Sequence, residues 1–570
     1  MPKILIDDFS GGKNTLDHQL LILNNQCASA TKNVWAPDGA LQKTPGFVEY
    51  KNSTATGTTI HALKFDILSN TRYLFGIIGS GSGVQFWNIG PGDTDAPSPL
   101  GYVTGTVSIS GASLISATGS GTSWNTQVTA GDYFRINATA DKWIGVESVE
   151  DATHLTLTAA LSTAIATGSS YTILKKLTPQ DSWGMASLNG SFYVSNGTEL
   201  VLRYDTTGTT SIAAFPKAFF LATHRNYMFA ARTPTAESRL YWSAIKDPTS
   251  WPSNNFIDVD KDRGKITGII SYGNELVILK TYGVYKLIGE TFDPSNPVYS
   301  VNTLVVPNEF LCNSGFFPIV HKNMLYLFAL DGLYIYLHGT DTIQKYPYHF
   351  SNELVSGTDF GDPTSATAKA QFIKSASIQD FLMFGWERGG TEKSVGILDK
   401  NGSYWLITST DAAGGTFLNN FTIARTNVGV LKFLASSDDS QARIFEIDVL
   451  PPTYSKSAVN TDTGATIGID SNWTSKEFTI GYGTFKELVI YLEKQSAGNL
   501  SVDWSIDQAS FVTNSVDMTT GRGNTIRKVL NINQTGSTIQ LRLTNSVAAQ
   551  TFKVFGIEIM YDSSETNRKV

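Results

Sequence analysis

The sequence predicts an all-β chain, and three observations carry that reading. Apolar residues fall in alternating or clustered bursts of about four to seven, each bounded by Gly, Asn, Asp or Pro, which is the punctuation of short strands. Composition agrees. Hydrophobic residues are 41% of the chain, charged residues only 16%, aromatics 11%, and there are 50 glycines, the profile of many strands joined by polar turns. Amphipathic helical periodicity is nearly missing. Its best candidate is 24–32, where Asn24 or Asn25 would cap a short turn ahead of Ala28 and Ala30.

Within 59–100 and 175–455 the bursts recur as one loose unit: an apolar strand, a tight polar turn, an aromatic-rich strand, a Gly or Asp-Gly turn, then a third strand. The clearest copy runs 316–320, turn His321-Lys322-Asn323, 324–329, turn Asp331-Gly332, 333–337. Two more follow the same order, one through 266–271, 275–279 and 284–288, the other through 185–188, 191–195 and 200–204. Related patterns begin near His61, Phe219, Ser375 and Phe421. First strands are spaced by roughly 35–60 residues, which brackets the period of propeller blades. A small antiparallel sheet cannot bury both faces alone, so such units stack face to face about an axis. The expected architecture is a β-propeller of about seven blades. An irregular series of sandwiches is the competing arrangement, because the copies share a hydrophobic pattern rather than a fixed motif.

The repeats are interrupted at 101–174, a stretch rich in Thr, Ser and Gly with strands expected at 105–110, 133–137, 143–149, 154–158 and 171–174. Thr118–Gly121 is expected to be a loop, and Gly131-Asp132 a turn. Trp124, Phe134, Trp143 and Leu157 give this stretch apolar anchors that a disordered segment lacks, so it reads as an inserted small β-barrel. Pro451-Pro452 ends the repeats. Residues 456–570 then alternate cleanly, as in Leu500-Ser-Val502-Asp-Trp504-Ser-Ile506, and predict a C-terminal β-sandwich with strands at 473–480, 485–492, 500–506, 525–533, 539–545 and 552–561, followed by a polar tail. Residues 1–58 read as an N-terminal arm leading into the propeller. Such an arm closes the ring by pairing with the last blade, the favoured reading, or reaches a neighbouring subunit by strand addition.

The formal charge of −7, from 43 basic and 50 acidic residues, argues against a sequence-reading DNA binder, whose affinity rests on neutralising phosphates. A mildly acidic wall around a DNA passage is compatible with it. Cys27 and Cys312 form no disulfide framework or zinc pattern. No signal peptide and no membrane-spanning run is read. The motifs of zincins, α/β-hydrolases, P-loop proteins and Rossmann folds do not occur. His18, His61, His154, His224, His321, His338 and His349 are scattered, with structural or surface roles expected. Asp258, Asp260 and Asp262 before Gly264 mimic the start of a calcium loop, but the Gly comes one residue late and Ile269 stands where the bidentate acid belongs; a solvated turn is favoured. Lys261, Arg263 and Lys265 beside them read as a salt-bridged loop rather than a phosphate guide. Asp438, Asp439, Glu446 and Asp448 hold no demonstrable glycosidase spacing. Tyr241, Trp242, Trp251 and Phe256 read as blade core rather than a sugar platform. No catalytic residue, metal or cofactor is assigned, and an enzyme is not expected.

One ordered series of residues resembles a known family. Asp8-Phe9-Ser10-Gly11-Gly12-Lys13-Asn14-Thr15, Leu20 to Gln26, Asn33-Val34, Asp38-Gly39-Ala40-Leu41 and Thr44-Pro45-Gly46-Phe47 are similar to the opening of tail nozzle or hub proteins of short-tailed phages, also described as DNA stabilisation or head-completion proteins. Leu240-Tyr241-Trp242-Ser243, Asp247-Pro248, Trp251, Asn255 to Asp260 and Ile266 to Ile269 look like that family's propeller segment. Gly119 to Trp124 with Gly131-Asp132 resembles small barrel insertions of phage tail proteins. The resemblance implies a virion structural protein made in a bacterial cytoplasm, a ring of often six copies coaxial with portal and adaptor proteins and near tail fibres or spikes. Double-stranded DNA would pass through it non-specifically. A receptor- or glycan-binding propeller at the tail tip is the alternative. Loops of the propeller or barrel, including Thr118–Gly121, would gate such a ring.

Overall fold

The computed structural model describes residues 2–14, 22–28, 31–44, 47–52, 59–80, 83–91, 97–137, 143–180, 182–289, 298–307, 318–329, 332–346, 371–388, 392–408, 418–425, 431–437, 443–447, 459–460, 467–468, 471–521, 523–546 and 551–563. Among them the helical exceptions to an all-β chain are Trp124–Gln127 and a 3-10 turn at Lys261–Arg263. Seven four-stranded antiparallel sheets form the blades of a propeller. Blades 1 to 6 begin with Thr59–Leu68, Gly184–Leu188, Phe220–His224, Ile266–Tyr272, Ile319–His321 and Gln371–Ile378. Each of these blades is a continuous meander in chain order. Blade 7 differs. Its first three strands are Leu418–Arg425, Leu431–Ser437 and Arg443–Ile447, and its fourth is Phe47–Asn52, paired antiparallel to Arg443–Ile447. The ring is therefore closed within the chain by its N-terminal region.

Turn chemistry explains the regularity of the blades. In blades 1 to 6 the first hairpin has a two-residue loop. Ser69-Asn70, Arg225-Asn226 and Lys322-Asn323 hold positive φ at both positions (49° and 66°, 48° and 67°, 48° and 60°). That is the twist-matched geometry of the shortest hairpins, and Asn tolerates it better than most residues.

The N-terminal 52 residues are more than an arm into the propeller. Lys3–Ile6 and Leu41–Lys43 pair with Lys553–Ser563, and Val34–Trp35 pairs with Leu41–Lys43, so these strands belong to the C-terminal sheet. Between them the chain runs along the outer strand of blade 6, with Lys13 N–H donating to Tyr404 O (2.8 Å) and Asn33 N–H to Leu406 O (2.8 Å). The short helix expected at 24–32 does not form in the described part of that stretch. Cys27 and Lys32 instead make bridges to Ser475 and Asn472, because backbone pairing on two sides outweighs a weak local helical preference. Phe9 packs edge-on to Trp473 (5.5 Å) and Trp35 on Phe381 (5.7 Å). One apolar core thus runs from blades 6 and 7 into the C-terminal sheet.

The insertion is a seven-stranded sheet in the order Ile165–Ser169, Thr106–Ile109, Ser116–Ser120, His154–Leu157, Ile144–Val149, Tyr133–Ile136, Tyr171–Leu174. Its two terminal strands are separated in sequence by Ser170 alone, so a single bent segment closes the barrel. Two strands, Ser116–Ser120 and Ile165–Ser169, exceed the five expected. Their Ala, Gly and Ser residues carry little β propensity of their own. The C-terminal strands expected at 473–480 and 485–492 are one strand, Ser471–Glu493; those at 525–533 and 539–545 are also one, Thr525–Asn545. Bulges between Thr474 and Glu477, Thr479 and Gly483, and Phe485 and Glu487 bend the pair, so one sheet folds over to bring Leu488 and Ile490 into a core with Val502 and Trp504. The break expected at Pro451-Pro452 lies outside the described residues.

Candidate functional site

The seven first strands meet at the propeller axis, where they enclose a cavity of about 670 Å³ to which every one of them contributes. A first strand has a ladder partner on one side only, and its other edge presents unpaired backbone groups. Side chains from adjoining blades satisfy part of that edge. Between blades 7 and 1, Asn420 Nδ2 donates to Ile60 O (2.8 Å) and Phe65 N–H donates to Thr422 Oγ1 (3.2 Å). Between blades 1 and 2, Lys64 Nζ donates to Met185 O (2.7 Å), and between 2 and 3, Thr223 Oγ1 donates to Ser187 O (2.7 Å). His224 Nδ1 and Ser271 Oγ share a hydrogen bond of 2.8 Å between blades 3 and 4, and Tyr272 OH donates to Asn323 O (2.6 Å) between 4 and 5. His321 Nδ1 and Ser377 Oγ lie 2.7 Å apart between blades 5 and 6. Among the described residues, six of the seven seams are thus clasped close to the axis.

Among the described residues, Lys64 and Asp66 are the charged side chains lining this cavity. They stand two residues apart on one strand, hence on one face. Desolvation pushes the Lys64 ammonium below its ordinary pKa, partly opposed by the charge of Asp66. Asp66 Oδ1 accepts the Ile67 N–H at 2.8 Å. His321 is pushed down to about 4 by burial, with Lys322 adding to the shift and Asp380 opposing it, so it is neutral at pH 7.

The residues singled out in the sequence are spent on structure. Asp258 binds Arg239 in a forked pair (2.6 and 3.0 Å) and Lys261 at 3.0 Å. Its carboxyl is held down at about 2, first by the Arg239 hydrogen bond and further by Lys261. Asp260 Oδ2 accepts Tyr285 OH (2.7 Å). Inside the same loop the fully buried Lys280 donates to Val259 O (2.5 Å), to Asp260 O and to Ser238 Oγ (3.0 Å). An ammonium therefore stands among the carbonyls of a segment that reads like a cation loop. Among the described residues no three His, Cys, Asp or Glu side chains group as they would around a metal ion, and Ile269 is a cavity-lining strand residue. Glu446 is paired with Lys432 (2.7 Å); Asp438, Asp439 and Asp448 lie outside the described residues.

Trp242 is core, and Trp251 packs on Phe215 (4.3 Å). Phe256 is exposed under the Arg239 guanidinium (4.0 Å). His61 contacts Thr59, His154 pairs with Asp151, and His338 stands edge-on to Tyr272; His18 and His349 lie outside the described residues. Cys27 is buried and its Sγ donates to Gly12 O (3.4 Å), and Cys312 also lies outside them. The gating loop expected at Thr118–Gly121 is overturned. Residues 118–120 belong to the strand Ser116–Ser120, which pairs with both Thr106–Ile109 and His154–Leu157, and a Cβ on Gly119 would meet the Thr122 side chain at 2.5 Å.

Sequence reasoning missed Lys64 and the two His–Ser clasps. A signal existed. His224-Arg225-Asn226 and His321-Lys322-Asn323 repeat one tripeptide pattern at the end of a first strand. Ser271 and Ser377 each stand one residue before the end of the next blade's first strand.

The topology defines a seven-bladed β-propeller protein carrying an inserted barrel and a C-terminal folded sheet. No protein-family model matches the chain, and no curated protein matches it in sequence. Solved structures that resemble it include the WD40 repeats of RRP9, at 8% identity over 71% of this chain and 99% of that one, TM-score 0.36. Others are exo-beta-1,3-galactanase from Phanerochaete chrysosporium with galactose (10% identity, 68% and 97%, TM-score 0.23) and phage phi92 endosialidase (12% identity, 82% and 72%, TM-score 0.21). Likeness at this level says nothing of activity, and the fold assignment rests on the sheet order itself.

Proposed function

We propose that the chain is a structural component of a bacteriophage tail, forming a homo-oligomeric ring, a nozzle or hub, that continues the DNA channel, retains the packaged genome and permits ejection. The observation that supports this most is the path of residues 3–52. The segment whose residues resemble the opening of tail proteins is built into the C-terminal sheet, along blade 6 and into blade 7, which locks these units into a stiff body. A load-bearing ring subunit needs that stiffness. The axial cavity has the volume of a small-molecule pocket. Duplex DNA would therefore run along the axis of the ring of subunits and not through a single propeller. Copies of itself, portal or adaptor proteins and tail fibre or spike proteins are its partners in this reading.

Native mass spectrometry of the purified chain, with immunogold labelling of the particles that encode it, tests the proposal. Closed rings, six-fold by expectation, and label at the tail support it. A chain that stays monomeric beside its neighbouring tail proteins and does not label particles ends it. A second reading, a glycan-binding tail-tip protein, draws on a groove of about 320 Å³ in the C-terminal sheet lined wholly by amide and hydroxyl side chains, including Asn499, Ser501, Asn514 and Thr544. Binding of the isolated chain to host surface polysaccharide would favour it.

A further inference from the structure

We propose that the axial cavity of the propeller is a binding site for a small organic carboxylate with an apolar body. The volume of about 670 Å³ lies within the range of small-molecule sites, roughly 300–1,000 Å³. Much of the wall is apolar, with Leu63, Met185, Leu221, Ile269 and Phe421 on five different blades. Among the described residues one cation, Lys64, lines this wall. An ammonium has three protons to donate, and Lys64 gives one to Met185 O. Asp66, the lining carboxylate, is not in ion-pair contact with it and is engaged by the Ile67 N–H. The other two Lys64 protons have no protein acceptor among the described residues.

A desolvated cation with unused donors is costly, and a carboxylate supplies both the charge and the acceptors it lacks. Three of the hydroxyls lining the cavity are committed to the seams between blades: Thr223, Ser271 and Ser377. An inorganic oxyanion gains nothing from the apolar part of the wall, whereas an alkyl or aryl group matches it. Asp66 disfavours a second negative charge, which limits the ligand to a monoanion. This site does not depend on whether the chain forms a tail ring.

Hexanoate is a suitable probe, titrated into the full chain by calorimetry, with hexan-1-ol as the uncharged control. The expected result is saturable binding of hexanoate, at least tenfold weaker for hexan-1-ol, at least tenfold weaker in Lys64→Met, and retained in Lys64→Arg. Circular dichroism confirms that each variant is folded. Should Lys64→Met fail to fold, Lys64→Gln removes the charge while keeping a donor for Met185 O, and it must weaken binding at least tenfold. No saturable binding of hexanoate, equal binding of alcohol and carboxylate, or binding undiminished in either Lys64→Met or Lys64→Gln would each overturn the proposal.

Discussion

His321 and Ser377 face each other across the seam of blades 5 and 6 at 2.7 Å, a hydrogen bond between consecutive inner strands. Burial holds the ring neutral, its pKa pushed down to about 4 from an ordinary 6.5. On acidification the unfolded chain takes up this proton first, so the contribution is complete above about pH 6.5 and is lost as pH falls from there towards 4. Protonation also sets a charge beside Lys322, only partly offset by Asp380. His321→Gln keeps a hydrogen-bonding group and removes the titration. Thermal melts of both proteins between pH 7 and 4 should show wild type losing about 1–2 kcal/mol more than the variant. Parallel curves would assign the acid sensitivity elsewhere.

Closure of the ring by Phe47–Asn52 makes a second prediction. Prolines at Val48 and Glu49, which face Glu446 and Phe445, disrupt the ladder of the strand that, among the described residues, ties the N-terminal region to blade 7 by β pairing. The double variant should lose at least about 3 kcal/mol in urea unfolding, with blade 7 becoming the first site of proteolysis. An unchanged midpoint would mean that the inner-strand bonds of Asn420 and Thr422 suffice to hold the ring.

These two cases also mark what could be read from the sequence. Two-residue turns such as Lys322-Asn323 punctuate apolar runs, so blade number and most strand bounds were legible. Closure by the N-terminal region was legible too, as one of two options. The placement of Lys3–Ile6 in a sheet with Lys553–Ser563 was not, since a pairing over more than 500 residues leaves no local trace. Thr118 was misread for a related reason: a Ser/Thr/Gly-rich stretch looks like a loop, and only its neighbours on both sides make it a strand. The axial clasps require knowing which strands are innermost, which periodicity alone does not give.

The inserted barrel should be separable as a whole and inseparable in part. Its entry and exit meet where Tyr102 and Ile173 exchange backbone hydrogen bonds of 2.8 and 2.9 Å. Replacing 103–172 by a short Gly/Ser linker should leave a propeller that still unfolds cooperatively, losing only minor contacts such as Gln127 with Ser211. Trp124→Ala in the full chain removes a fully buried indole that donates to Tyr171 OH (2.9 Å). It should cost the barrel about 3–5 kcal/mol, seen as a separate early transition in calorimetry. Deleting 118–121 should abolish that barrel transition altogether. A single unshifted transition in Trp124→Ala, or a barrel transition that persists in the 118–121 deletion, would refute independent barrel stability.

Lys280 offers the last test, because its ammonium satisfies Ser238 Oγ and the carbonyls of Val259 and Asp260 within a loop patterned like a calcium site. Lys280→Met preserves most of the side-chain volume but leaves those acceptors buried without a donor, at about 1–3 kcal/mol for each unsatisfied group. The expected outcome is a fall of about 3 kcal/mol in unfolding free energy and faster tryptic cleavage after Lys261 and Arg263, the residues of the 3-10 turn beside it. Calcium added to wild type should leave the urea midpoint unchanged, since a tethered cation already serves the carbonyls an ion would need. A calcium-dependent rise in the wild-type midpoint would show instead that Asp258, Asp260 and Asp262 retain ligands to offer, and that the lysine is a neighbour of the site rather than its occupant.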